Sequence, residues 1–356
     1  MMAIPVELQP DVLMAGFEQT HGLAGKLAKY FPFMAMPGAG VTVSYDVLEY
    51  QNRLMPWVPR GGPAPAKSGA TRTSVTLEGI TLKAMLPLSA EELKDMRDVG
   101  TRARAQRENA VARAVRQLRL DMERTWEFLR AQWLTGGALV DSSNAVPGAA
   151  DGTVYLRPDA HAIDSPLSVS LGLSATHINA TVAASWATAA TDIKANLDTA
   201  RSLIAADTGI DANRVVLNRT TMGYIDHNND AMASDYAKNE LARQGTLRTL
   251  WDYEFDVMDD AFPISTDLFN DTAGTQKLIP DGVVIVTTAD NNVAGRAMLE
   301  CEAVDAKAPS GQKGVFFWTD EQGEHPHAPR PGVEWSGAPM IQNTDSLYIF
   351  TDVTAT

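Results

Sequence analysis

Residues 41–135 constrain the fold of this chain more than any other stretch, because they spell a long β-hairpin leading into a long charged helix. Val41, Val43, Tyr45 and Val47 alternate with Thr42, Ser44 and Asp46, the period of two expected of a half-buried strand. The returning arm, residues 75–86, alternates in two registers: Val75 and Leu77, then Ile80, Leu82, Ala84 and Leu86, with Gly79 at the slip, where a β-bulge is expected. Between the arms, Pro56, Pro59, Gly61, Gly62, Pro63, Pro65 and Gly69 make a turn-rich tip. An arm of roughly 18 residues would reach about 60 Å, beyond the needs of one domain core. Such a hairpin needs another surface to lie on.

The helix predicted over residues 89–135 has matching signals at both ends. Ser89 with Glu92 forms a capping box, Glu91 and Asp95 suit the positive end of the dipole, and Gly136-Gly137 closes the far end. Its apolar stripe runs Leu93, Met96, Val111, Val115, Leu118, Met122, Trp126, Leu129, Trp133, and thins near Gly100, where a kink or a break into two helices is expected. Continuous, it would be a rod about 70 Å long. Its other faces carry arginines, among them Arg113, Arg116 and Arg119, interleaved with Glu108, Asp121, Glu123 and Glu127. Arginine in place of lysine favours pairing with carboxylates of another subunit, the alternative being a solvated face laced with salt bridges.

Around this stretch the chain divides into an arm (residues 1–40), the hairpin (41–87), and a domain made of residues 88–183 with 296–356. A second unit, residues 184–295, is inserted between the two parts of that domain. In the inserted unit, helices are expected over residues 186–204, from an Asn218 or Thr220 cap to Ile225, and over 239–251. Strands are expected at 214–217, 254–258 and 283–287. Further strands at 296–304, 314–318 and 346–353 would return beside the long helix. Pro326, Pro329, Pro331 and Gly332 mark an exposed loop between them. The mixture is α+β.

Charge and chemistry narrow the function. The 356 residues carry a net charge of −14, against general nucleic-acid binding by electrostatics. The charge is segregated: residues 50–77 hold no acid but Arg53, Arg60, Lys67 and Arg72, and residues 250–276 hold no base but seven acids, including Asp256, Asp259 and Asp260. This pattern suits one copy docking on another, with solvated surface the alternative. The single cysteine, Cys301, excludes an internal disulfide framework and a cysteine zinc cluster, and its apolar setting marks a small core residue. No signal peptide and no membrane-spanning run is expected. No phosphate-cradling glycine motif and no GxSxG elbow is present. His325 and His327 lack a third metal ligand at a compelling spacing. Asp259 and Asp260, adjacent in a strand, would point to opposite faces. No catalytic, metal or cofactor site is therefore expected, which leaves a hydrolase or small-molecule-binding reading without a constellation to rest on.

The order of parts resembles the major capsid proteins of tailed bacteriophages, the Hong Kong 97 fold, and more closely the phage lambda major head protein family. Tyr30-Phe31-Pro32-Phe33, Leu278-Ile279-Pro280-Asp281-Gly282, Gly295-Arg296 and Pro339-Met340-Ile341 with Asp345 carry the likeness. The resemblance implies an N-terminal arm, an extended loop, a spine helix, a peripheral domain (88–183 and 296–356) and an axial domain (184–295). It implies a virion shell of hexamers and pentamers, assembled in the host cytoplasm and enclosing double-stranded DNA without specific binding. It also implies a portal as partner, and such shells can carry a decoration protein. With the hairpin starting at Val41 there is no room for the scaffolding segment of some relatives, so either a separate scaffolding protein or an already processed chain is expected, and Met1 favours the former. An encapsulin-type nanocompartment is the alternative. Arg53, Arg60, Lys67, Arg72, Arg113, Arg116, Arg119, Asp256, Asp259 and Asp260 become the candidate inter-subunit contacts.

Overall fold

From its N-terminal side the chain runs through a 3-10 turn (Lys26–Lys29) into β1 (Phe33–Ala35), β2 (Thr42–Glu49), β3 (Thr71–Glu78), β4 (Ile80–Met85) and the long helix α1 (Thr101–Leu134). There follow β5 (Thr153–Leu156), β6 (Leu167–Ser170), β7 (Ala180–Thr181), α2 (Ile193–Thr208), β8 (Arg214–Leu217), α3 (Arg219–Asp226), α4 (Asn229–Ala233) and α5 (Asp235–Gln244). The rest is strand: β9 (Thr249–Leu250), β10 (Tyr253–Val257), β11 (Ala261–Ile264), β12 (Gly274–Lys277), β13 (Val284–Thr287), β14 (Arg296–Glu300), β15 (Val315–Asp320), β16 (Arg330–Ile341) and β17 (Leu347–Asp352). The structure, a computed structural model, describes residues 25–35, 40, 42–49, 71–85, 101–136, 153–156, 167–170, 173–174, 176–178, 180–264, 274–288, 290, 294–303, 308, 311–320 and 330–354.

Two sheets organise the α+β fold. In the five-stranded sheet, β14 and β15 lie end to end along one edge of the 12-residue β16, β4 pairs with the other edge, and β1 adds in parallel beyond β14. Alternate residues of this sheet face two layers. Met298, Phe317, Val333 and Trp335 pack on α1, whereas Ala297, Leu299, Cys301, Ala338 and Met340 pack under the root of the β2–β3 hairpin. The six-stranded sheet, in the order β7-β17-β13-β8-β10-β9, is likewise covered on both sides. Val216, Ile285 and Ile349 join the core of α1, and Val215, Val284, Val286 and Phe350 meet α2 and α3. Burial on both faces explains why these strands read as unbroken apolar runs.

The expected helix face of α1 is the one buried: Val111, Val115, Leu118, Met122, Trp126, Leu129 and Trp133 are all at most 8 % exposed. Its 34 residues make a rod about 50 Å long, and Gly136 (φ 63°) turns the chain away at the expected end. The Ser89–Glu92 cap lies outside the described residues. Trp126 and Trp335 meet edge to face at 5.9 Å with Phe33 4.9 Å from Trp126, so α1, β16 and β1 share one aromatic joint.

The register slip at Gly79 is a change of sheet and not a bulge within one hairpin. β3 pairs with β2 from Thr71↔Glu49 to Glu78↔Thr42, and β4 then pairs with β16 from Ile80↔Gly337 to Met85↔Gly332. At this crossing the backbone lies against the sheet beneath it. A Cβ on Gly79 would come within 2.9 Å of Cys301 Sγ and 3.0 Å of Ser336 Oγ, so any larger residue would have to push these side chains aside.

Three further expectations need correction. Pro331 and Gly332 are buried residues of β16 and not part of an exposed loop; the loop's other markers, Pro326 and Pro329, lie outside the described residues. Pro331 and Pro339 flank the Gly332–Gly337 stretch that pairs with β4, so neither ring interrupts it. The helix expected from Trp186 begins at Ile193, capped by Asp192. Before it, Thr191 Oγ1 donates to Ser185 O at 2.6 Å and Trp186 N to Val353 O at 2.8 Å, so side-chain and sheet-end hydrogen bonds replace the helical ladder. The helix expected over 239–251 starts earlier and ends at Gln244, because Gly245 takes φ 71°.

Asn218 caps α3 as anticipated, and does more. Its Oδ1 accepts from Thr221 N (2.8 Å), and its buried amide donates to Ile279 O (3.0 Å) and Asp281 Oδ1 (2.6 Å). Burial pulls the Asp281 carboxyl up, but the bonds from Lys277 and Asn218 outweigh it and hold the group below its ordinary range. A depressed carboxyl contributes stability above its unfolded pKa and loses it as pH falls through the folded value. Asn218→Ala is expected to cost about 2–3 kcal/mol in urea unfolding, and to make stability less dependent on pH in the acid range, because the Asp281 carboxyl moves back toward its ordinary value. A loss under about 0.5 kcal/mol would contradict this account of the cap.

Candidate functional site

The candidate site is a set of surfaces built on three elements: the hairpin, α1 and the strap of residues 25–35. The strap is the best-anchored of them. Leu27, Tyr30 and Phe31 are fully buried between α1 and the sheets. Glu127 of α1 accepts from Leu27 N (3.0 Å) and from Arg130 Nη1 (2.7 Å), while Arg130 Nε donates to Phe31 O (3.1 Å). The guanidinium of Arg130 is 4 % exposed and lies 4.8 Å from the Phe33 ring. Burial lowers its pKa from the ordinary arginine value, and Glu127 opposes that shift.

On the other side of the strap, Tyr30 OH donates to Asp256 Oδ2, which also receives Lys29 Nζ (2.5 Å) and Arg214 Nη1 (3.6 Å). Burial, then the charge of Asp256, pushes the Tyr30 phenol well above its ordinary value, so it stays a donor. Beneath it Arg296, fully buried, donates to Thr287 Oγ1 (2.9 Å) and Thr288 O (2.6 Å), with its guanidinium 5.8 Å from the Tyr30 ring.

The acids singled out in the sequence thus meet partners in their own chain. Asp256 binds the strap and β8, Asp260 pairs with Lys26 at 3.0 Å, and Asp259 Oδ1 accepts from Arg219 N at 2.9 Å. Arg72 is exposed on β3 opposite Leu48. Arg113 and Arg116 are exposed on α1, and Arg119 is partly buried and bonded to Glu123 at 2.8 Å. Arg53, Arg60 and Lys67 lie outside the described residues, as do His325 and His327. Lys29, Arg214 and the Glu127–Arg130 pair were not legible as a strap-binding set. The available signal was Tyr30-Phe31-Pro32-Phe33, an aromatic run too dense for a solvated arm.

The hairpin root is apolar on one face only. Val43 and Tyr45 are buried, Val47 and Val75 half-buried, and Thr42, Ser44, Asp46, Thr73 and Thr76 exposed. Among the described residues no group of three His, Cys, Asp or Glu side chains is placed to hold a metal ion, and no helix is long and apolar enough to cross a membrane.

This layering of hairpin, sheet and long helix, beside a second sheet with its own helices, is the Hong Kong 97-type capsid fold. A putative prophage capsid protein of Escherichia coli CFT073 superposes with a TM-score of 0.59 at 9 % identity, covering 97 % of this chain and 99 % of that one. A phage-related protein from Bordetella bronchiseptica RB50 does so with a TM-score of 0.51 at 14 % identity, covering 97 % of each chain. No curated protein matches. The family model of phage major capsid protein E matches residues 10–327, and the chain belongs to that family. It is accordingly a shell-forming structural protein of a capsid.

Proposed function

We propose that this chain is the major head protein of a tailed phage, of the phage lambda type, assembling as hexamers and pentamers into an icosahedral shell around double-stranded DNA. The observation that carries the reading is the hairpin. Its packed contact ends at the half-buried Val47 and Val75, and β3 extends beyond it to the exposed Thr73 and Arg72. An isolated two-stranded ribbon is marginal in water, so its outer part is stabilised by a neighbouring subunit. Arg53, Arg60, Lys67 and Arg72 meet that neighbour, whereas Asp259 and Asp260 are engaged within the chain by Arg219 N and Lys26. Asp256 acts indirectly, by holding residues 25–35 of the N-terminal arm (1–40) through Lys29 and Tyr30. Residues 88–183 with 296–356 serve as the peripheral domain and residues 184–295 as the axial domain. A separate scaffolding protein and a portal complete the assembly in the host cytoplasm.

Electron microscopy of the expressed chain, with and without its scaffolding protein, tests this. Closed, hollow icosahedral shells built of hexamers and pentamers are expected. Monomers that never assemble, or shells that hold a protein cargo and no DNA, would overturn it.

A further inference from the structure

We infer that the outward face of α1 is a rail for the phosphate backbone of the enclosed nucleic acid, carried by Arg113, Arg116 and Arg124. The inference rests on the DNA-enclosing reading above.

At 100° per residue, Arg124 falls within about 20° of Arg113 around the helix axis, and Arg116 within about 60°. The three form one stripe about 16 Å long, directly opposite the buried face of Val111, Val115, Met122 and Trp126. Asn109, Arg113, Arg116, Gln117 and Arg124 are all exposed on it. Of the acids around it, Asp121 at one margin is bonded to Gln117 (2.9 and 3.0 Å) and lies 3.8 Å from Arg124, whose side chain is still 62 % exposed, whereas Glu123 and Glu127 are bonded to Arg119 and Arg130. On a chain of net charge −14 this is a localised basic surface.

Two observations favour a polyanion over a neighbouring subunit's carboxylates. The acids that could have received these arginines are already engaged within the chain: Asp256 holds Lys29, Arg214 and Tyr30, and Asp260 holds Lys26. And α1 lies on the face of the five-stranded sheet opposite the hairpin root, so the layer that reaches toward a neighbour is on the other side. Guanidinium groups suit phosphate oxygens, and a few of them on an otherwise acidic surface give weak contact without reading sequence. The inference revises the expectation that Arg113 and Arg116 meet another copy.

The test uses the full chain and a random-sequence 20-base-pair duplex, read by fluorescence anisotropy between about 50 and 200 mM salt, the range over which phosphate contacts are strongly screened. Arg113→Gln/Arg116→Gln/Arg124→Gln is expected to weaken binding at least tenfold at the lower salt. It should also lower the log–log salt slope by about one unit per arginine. The matching triple lysine variant should restore most of the affinity, and Lys194→Gln on α2 should change nothing. Thermal melting confirms that each variant is folded, and microscopy scores shells separately. A wild-type chain that forms shells but does not bind the duplex overturns the inference and leaves the shell reading intact. A glutamine variant that binds like wild type but no longer forms shells also overturns it, and marks the stripe as a contact between copies. Equal loss in the lysine variant overturns it as well, because a backbone rail needs charge and not the guanidinium fork.

Discussion

Deleting residues 53–72 is expected to leave a folded, soluble subunit that forms no closed shells. The deletion removes the basic tip and the last strand pairs, Glu49↔Thr71 and Leu48↔Arg72, but keeps Val47↔Thr73 and everything toward the root. Residues 48–52 then bridge the strands, five residues, a length that β-hairpins accept. The root remains anchored by Val43, Tyr45 and Val75 on Leu299, Cys301 and Met340, so thermal stability should fall little. What disappears is the part of the hairpin proposed to meet a neighbouring subunit. Negative-stain microscopy beside a thermal melt separates the outcomes. Normal shells from the shortened chain would show that the tip is not an inter-subunit element, and an unfolded subunit would show that it stabilises its own body.

Glu127→Ala is expected to cost about 3–5 kcal/mol of subunit stability, the range seen when one partner of a buried ion pair is removed. Arg130 would remain 4 % exposed with its charge facing Phe33 and the Phe31 carbonyl, and Leu27 N would lose its acceptor. Because both bonds hold the strap, limited proteolysis should cut near Gly25 well before the body unfolds. The double variant Glu127→Leu/Arg130→Met should recover the part of the loss due to the unpaired charge, since apolar groups of similar volume need no counter-charge, while Leu27 N and Phe31 O stay without these partners. A urea-derived loss below about 1 kcal/mol for the single variant would mean that solvent reaches Arg130 and the pair is an ordinary surface one.

The periodic elements were legible in the sequence because one-dimensional spacing reports which side of an element is covered. The apolar stripe of α1, the alternation of β2 and the Asn218 cap follow from local geometry, and each has its expected role. The family resemblance was legible for a related reason. Tyr30-Phe31-Pro32-Phe33, Leu278-Ile279-Pro280-Asp281-Gly282, Gly295-Arg296 and Pro339-Met340-Ile341 all lie where strap, sheets and helix meet. There Tyr30, Phe31, Ile279, Arg296 and Ile341 are buried.

What the hairpin and helix do with their partners was decided only in three dimensions. The slip at Gly79 became a change of sheet because Cys301 and Ser336, more than 200 positions away in the chain, lie against it. Pro331 and Gly332 read as loop because proline and glycine signal turns locally, yet they enter the longest strand, where β4 and β15 supply pairing from distant segments. The Asp256 and Asp260 carboxylates read as contacts for another copy, or as solvated surface, until the strap brought Lys26, Lys29 and Tyr30 to them. A sequence shows the charge on a residue and the side of the element it occupies. Which opposite charge reaches it depends on long-range closure of the chain, and that is fixed by packing of the whole core.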